Sequence, residues 1–132
     1  GQRIEGLDGG SVISFLVPKA AQNVTLHSAS FVPASIDHAS DDRRSLGLKI
    51  STISVFDGLT SQTAEAHDER LAAGFHEVEW DGAPTRWTSG VSTLPSSLWV
   101  EARGDFFLTI NLIDRVKQTM VQADNTEAAR AA

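Results

Sequence analysis

The stretch GFHEVEWDGAPTRWT, residues 74–88, predicts two short antiparallel strands joined by a tight Asp-Gly turn. If the turn centres between its glycine and the following alanine, Glu79 lies opposite Arg86 and Val78 lies opposite Trp87. Because side chains alternate along a strand, the two pairs occupy opposite faces of the hairpin. We therefore expect a buried Val78–Trp87 pair and an ion pair between Glu79 and Arg86 on the wetter face.

The same hairpin carries the side chains that are candidates for binding a ligand. A carboxylate beside a guanidinium can hydrogen-bond a sugar or another polar ligand, and a tryptophan next to a turn can stack on the apolar face of a sugar. The alternative is an ion pair that only sets the strand register, and a tryptophan that belongs to the core. The candidate ligand-binding residues are Trp80, Glu79, Arg86, His76 and Thr88.

Short runs with period-2 alternation recur along the chain and predict further strands. They lie at about 11–17, 23–32, 46–55, 97–103 and 106–113, the last two joined by a hairpin at Gly104-Asp105. About seven to eight short strands in 132 residues are typical of an all-β fold, a single antiparallel β-sandwich of jelly-roll or immunoglobulin-like type. We expect one domain over 1–132, with its core at about 11–113 and a tail or short helix at 114–132.

The alternation changes parity within one predicted strand. Leu48 and Ile50 share one parity, whereas Ile53 and Val55 share the other. One extra residue in a strand turns the side chains that follow to the opposite face. The sequence therefore predicts a β-bulge near residues 51–52.

Composition argues against several classes of protein. A net charge of −6 argues against a nucleic-acid partner, which would favour a basic surface. The chain contains no cysteine, so we expect no disulfide framework, thiolate nucleophile or zinc–thiolate site. No apolar run approaches the roughly 20 residues of a membrane-spanning helix. No signal peptide is visible and no motif indicates a cofactor.

Metal binding and catalysis have little support in the spacing of polar residues. The polar loops 34–45 and 58–73 hold carboxylates that calcium could use, but neither has the spacing of a known calcium loop. The four histidines are dispersed, so no metal site is predicted. Glu77 and Glu79 share one strand face rather than opposite sides of a cleft. We therefore expect no enzyme, although distant loops could still assemble a hydrolase.

The order of these motifs resembles a bacterial β-sandwich accessory domain. Such domains are appended to cell-surface glycosyltransferases, to Hint-type (hedgehog/intein-like) proteins and to related polysaccharide-associated proteins. The resemblance covers about residues 30–113 and implies a glycan-related context and a secreted or cell-surface location. It rests on Phe31-Val32-Pro33, on DDRRSLG at 41–47, on Gly74-Phe75-His76 followed by Glu79, on Arg86-Trp87-Thr88, its most specific part, and on Leu94.

These observations predict a non-catalytic accessory module associated with carbohydrate, either binding glycan or supporting a glycosyltransferase or polysaccharide system. The alternative is a structural or protein-interaction domain that contacts neighbouring domains or forms a homo-oligomer through a strand edge. A solvent-facing groove lined by Glu79, Arg86 and Trp80 would favour binding. An Arg86 packed under neighbouring loops would make the motif a structural element.

Overall fold

Two antiparallel β-sheets make up the described residues, 2–115 and 119–124, of a computed structural model. The strands are β1 (Gln2–Ile4), β2 (Leu7–Asp8), β3 (Val12–Val17), β4 (Asn23–Ser28), β5 (Leu48–Phe56), β6 (Ser61–Glu65), β7 (Glu79–Asp81), β8 (Ala83–Trp87), β9 (Val91–Leu94), β10 (Phe106–Arg115) and β11 (Thr119–Asp124). A short helix α1 (Pro33–Ile36) and a 3₁₀ turn (Ser96–Leu98) complete the regular structure of these ranges. No helix in them is both long and apolar enough to cross a bilayer.

The two sheets have different sizes. The smaller sheet has the strand order β1-β11-β4-β9, and the larger has the order β2-β3-β10-β5-β8-β7. Strand β6 also belongs to the larger sheet, where it pairs with the same edge of β5 as β8 does, further along the strand. The predicted all-β, sandwich-like fold is confirmed, although the described strands are more numerous than expected.

The core follows from period-2 alternation. On β3, Ile13, Phe15 and Val17 are buried and the residues between them are not, and Val24 and Leu26 are buried on β4 in the smaller sheet. Because every second side chain is buried, each sheet contributes one apolar face to a common core.

The predicted bulge in β5 is confirmed. Thr52 lies opposite Asn111 of β10, but Ile50 lies opposite Leu112, so Ser51 is an extra residue on β5. The extra residue reverses the parity of the strand. As a result, the side chains on both sides of the bulge point into the core.

The prediction of a tail or short helix at 114–132 is wrong for the part that the structure describes. Residues 119–124 form β11, which pairs with β1 on one side and β4 on the other. The chain before residue 11 also contributes two strands, so the folded part extends beyond 11–113 at both ends. The end of the predicted tail, 125–132, lies outside the described residues.

The predicted hairpin of 97–103 with 106–113 is also wrong. Leu98 and Trp99 are adjacent and both buried, which a strand with alternating faces does not allow. They lie in and directly after the 3₁₀ turn, and β10 pairs with β3 and β5 instead. The segments expected to be loops contain α1 and β6. Strand β6 was missed because Ala64 is its one buried residue.

Candidate functional site

The β7–β8 hairpin is tighter than predicted. Glu79 pairs with Thr85 rather than with Arg86, and Gly82, with a φ of 78°, lies alone between the last paired residues of the two strands. The predicted register is therefore wrong by one residue. A shift of one residue turns a strand over, so Glu79 and Arg86 occupy opposite faces and form no ion pair.

The predicted Val78–Trp87 pair fails for the same reason. Trp87 is buried against Phe31, with the two rings edge to face and their centroids 6.0 Å apart. The ammonium of Lys49 lies 5.9 Å from the centroid of the Trp87 ring. The segment before β5 therefore covers Trp87, and this tryptophan is not available to a ligand.

Glu79 is bound by two cations from other parts of the chain. Its carboxylate lies 3.5 Å from Nη1 of Arg44 and 3.7 Å from Nζ of Lys49. The guanidinium of Arg44 also donates three hydrogen bonds to the carboxylate of Asp42, from Nε to Oδ1 at 3.0 Å and to Oδ2 at 3.2 Å and from Nη2 to Oδ2 at 2.7 Å. These hydrogen bonds lower the pKa of Asp42 to about 2. The four side chains form a charge-compensated network that is partly exposed to solvent.

Arg86 points away from that network. Its guanidinium donates hydrogen bonds to the carbonyl oxygens of His76 and Ala66 and lies over the ring of Phe75. Burial lowers the pKa of the guanidinium. Among the described residues Arg86 makes no ion pair, so its donors serve backbone carbonyls. It therefore holds together the segments around the hairpin.

His76 and Thr88 are also engaged within the protein. Nε2 of His76 lies 2.6 Å from the carbonyl oxygen of Ser45, which can only accept, so Nε2 donates. Thr88 is 1% exposed, and its hydroxyl accepts a hydrogen bond of 3.0 Å from the backbone N–H of Leu48. Both side chains therefore make hydrogen bonds that stabilise the local fold.

Trp80 is the exposed member of the predicted set. It is 66% exposed, and its ring lies against that of His67, with centroids 5.4 Å apart and an angle of 43° between the planes. Nε2 of His67 lies 3.7 Å from the carboxylate of Glu65 at the end of β6. We call Trp80, His67 and Glu65 the Trp80 cluster. It combines a flat apolar ring, an imidazole and a carboxylate on one exposed surface.

The sequence alone did not predict that His67 and Glu65 lie beside Trp80. They lie in the segment 58–73, which was expected to be a solvated loop. Because β6 and β8 pair with successive parts of the same edge of β5, the end of β6 meets the β7–β8 hairpin. No local pattern signals that meeting, which depends on pairing across the sheet.

Other features of the described residues are weaker candidates for a ligand or metal site. A cleft of about 450 Å³ runs past Lys19, Gln22 and Trp99, and the ammonium of Lys19 already donates to the carbonyl of Ala102. Within 2–115 and 119–124, no three residues of His, Cys, Asp or Glu are grouped as a metal site requires. The Trp80 cluster is therefore the best candidate for a binding site.

Comparison of the chain with protein-family models, with curated proteins and with solved structures found no match. The candidate function therefore depends on the geometry of the chain itself.

Proposed function

We propose that this domain is a non-catalytic accessory module that binds glycan through the Trp80 cluster. The observation that carries the proposal is the 66% exposure of Trp80 while its ring is supported by His67. A large flat aromatic side chain at the surface matches the apolar face of a pyranose ring. Stacking a sugar there removes apolar surface from water on both partners.

The polar members of the cluster supply the groups that a sugar needs at the rim of its ring. Sugar hydroxyls both donate and accept hydrogen bonds, and the imidazole of His67 and the carboxylate of Glu65 offer both functions. Hydrogen bonds to an ionised carboxylate are stronger than those between neutral groups. Because both side chains are exposed, they can exchange water for sugar hydroxyls without rearrangement of the core.

The hairpin motif supports the proposal indirectly. Arg86, His76 and Thr88 hold the base of the hairpin by hydrogen bonds to the backbone, so Trp80 projects from a braced element. A braced platform loses little conformational entropy on binding. The resemblance of the Gly-Phe-His and Arg-Trp-Thr motifs to polysaccharide-associated domains agrees with this assignment.

A glycan-array screen followed by calorimetry on the best ligand tests the proposal. We expect Trp80→Ala to weaken binding at least about tenfold, which corresponds to about 1.4 kcal/mol. Glu65→Gln is expected to weaken binding less than Trp80→Ala. The matched control is Leu59→Ala, which removes another strongly exposed apolar side chain, from the β5–β6 turn. Absence of any bound glycan, or equal affinities of Trp80→Ala and wild type, would contradict the proposal.

A protein-contact role is the second candidate, and one observation favours it. Three exposed apolar side chains, Leu16, Phe107 and Phe56, form a row across the larger sheet. Contact through a strand edge is less well supported, because the edge strands of the two sheets are short, with two to five residues each in β1, β2, β6, β7 and β9. The open face of the sheet is the better surface for such a contact.

A further inference from the structure

The larger sheet has an exposed apolar row on the face directed away from the core. Phe107 of β10 lies directly opposite Leu16 of β3 on one side and Phe56 of β5 on the other. Leu16, Phe107 and Phe56 are 54%, 47% and 46% exposed, whereas the residues that alternate with them are buried. A cross-strand row of three large apolar side chains is an unusual surface for an isolated domain.

Next to this apolar row lies a row of hydroxyl groups that already bond to one another. Ser14 and Thr109 are joined at 3.2 Å, and Ser54 and Thr63 are also joined at 3.2 Å. Covering these hydroxyls would leave each of them with a partner, so the desolvation cost is small. Because they are paired, they are also poorly suited to recognise the hydroxyls of a sugar.

This face carries no formal charge in its centre. The outward residues of β3, β10 and β5 are Val12, Ser14, Leu16, Phe107, Thr109, Asn111, Thr52, Ser54 and Phe56. Charged side chains begin at its margins, at Glu65 opposite Thr52 and at Lys49 opposite Asp114 beyond the bulge. The chain as a whole carries a net charge of −6. Two copies therefore repel each other in most relative orientations. The repulsion is weakest when the uncharged face of one copy meets the same face of the other.

We propose that this face binds a second copy of the chain in a symmetric, sheet-on-sheet dimer. A two-fold interface places the same patch on both partners, so a flat, uncharged and internally paired surface is complementary to itself. Two sheets pack face to face at about 10 Å with their side chains interdigitating, as the apolar row allows. The proposal does not rest on the glycan site, which adjoins this face at Glu65.

The size of the face sets the strength of the association. The four strands β3, β10, β5 and β6, spaced 4.8 Å apart and with about six residues along each at 3.3 Å per residue, give roughly 400 Å² per copy. The total of about 800 Å² lies well below the standard interface size of about 1,600 Å² and in the range of weak, reversible complexes. The dimer is therefore expected to form as concentration rises and to dissociate on dilution.

Sedimentation equilibrium of the full chain between about 5 μM and about 1 mM tests the proposal. We expect the wild-type mass to rise from 14.2 kDa towards twice that value. Phe107→Glu and Leu16→Glu each place like charges across the two-fold axis, and both variants should stay at the monomer mass. Val91→Glu is the matched control, because it adds the same charge at an exposed apolar residue of β9, in the other sheet, and should associate like the wild type.

Two results would overturn the proposal. One is a wild-type mass of 14.2 kDa at every concentration, which would leave the face to a different protein. The other is association of Phe107→Glu and Leu16→Glu with the wild-type dissociation constant, with folding of both variants verified by circular dichroism.

Discussion

The guanidinium of Arg86 lies over the ring of Phe75, with its central carbon 5.8 Å from the ring centroid. From this position it also donates hydrogen bonds to the carbonyl oxygens of His76 and Ala66. A single side chain of β8 thus joins the segment before β7 to the end of β6. The arginine of the Arg-Trp-Thr motif therefore ties the hairpin that carries Trp80 to the backbone around it.

Replacing Arg86 should therefore destabilise the protein more than replacing a neighbouring charged residue. We expect Arg86→Ala to lower the free energy of unfolding by about 2 kcal/mol, because two carbonyls lose a charged donor and Phe75 loses its cation. Glu77→Ala, at an exposed residue before β7, should change it by less than about 0.5 kcal/mol. Urea unfolding of both variants measures the difference. Equal midpoints would show that Arg86 does not hold the hairpin.

Two glycines with positive φ allow two effects of a substitution to be measured separately: the backbone strain and the collision of a new Cβ with neighbouring atoms. Gly74 and Gly82 have φ of 83° and 78°, so alanine is strained at either by about 1–2 kcal/mol. At Gly74 a Cβ would also collide with the backbone of Val91 and Ser92, whereas at Gly82 it meets no atom within 4 Å. We expect Gly74→Ala to cost more than about 3 kcal/mol and Gly82→Ala only the strain. Thermal unfolding measures both, and similar losses of stability would refute the close approach at Gly74.

Deletion of Ser51 should abolish the native fold. Without the bulge, either Leu48 and Ile50 or Ile53 and Val55 must turn away from the core. Exposing two such residues costs about 2–5 kcal/mol each, which is comparable to the whole stability of a domain. A two-dimensional amide NMR spectrum is expected to collapse to the dispersion of an unfolded chain.

Deletion of Asp41 serves as the control for that experiment, because it removes an exposed residue between α1 and β5. Its spectrum should keep native dispersion. A well-dispersed spectrum of the Ser51 deletion would mean that the bulge is dispensable.

Asp57 should make the stability of the folded state decrease as the pH becomes acid. Its carboxylate accepts backbone hydrogen bonds from Thr60 at 2.7 Å, Arg103 at 2.8 Å and Leu59 at 2.8 Å. These bonds, that of Thr60 first, hold the pKa of Asp57 well below its ordinary value of 3.8. A carboxyl with a lower pKa in the folded state stabilises that state above the unfolded pKa. The stabilisation is lost as pH falls from about 4 through the folded-state value.

The melting temperature of the wild type is therefore expected to fall between about pH 5 and pH 2, and that of Asp57→Asn to fall less steeply. Glu69→Gln removes a negative charge from an exposed residue and should keep the wild-type slope. Parallel pH profiles of Asp57→Asn and wild type would rule out Asp57 as a source of the acid dependence.

The sequence predicted those parts of the fold that depend on the pattern of residues close together in the chain. The alternation of Ile13, Phe15 and Val17 and the parity change around Ser51 were sufficient, because each strand must present one apolar face to the core. Strands β6 and β11 were missed because pairing with neighbours on the sheet determines them more than their own apolar pattern does.

The candidate site could be predicted only in part for the same reason. Trp80 was found from its place beside the turn, but its partner His67 reaches it through the pairing of β6 and β8 with β5. The pairing of Glu79 with Arg86 was wrong because one glycine, Gly82, closes the hairpin and shifts the register by one residue.

The sequence by itself determined that the chain folds into strands with one apolar face each, and where one of those strands must bulge. It did so because burial of every second side chain is a local requirement. The tertiary structure alone decided which residues meet: Glu79 with Arg44 and Lys49, and Trp80 with His67. Those contacts depend on strand order and on register. A shift of one residue between two strands leaves their amino-acid sequences unchanged. It nevertheless gives every side chain a different cross-strand partner.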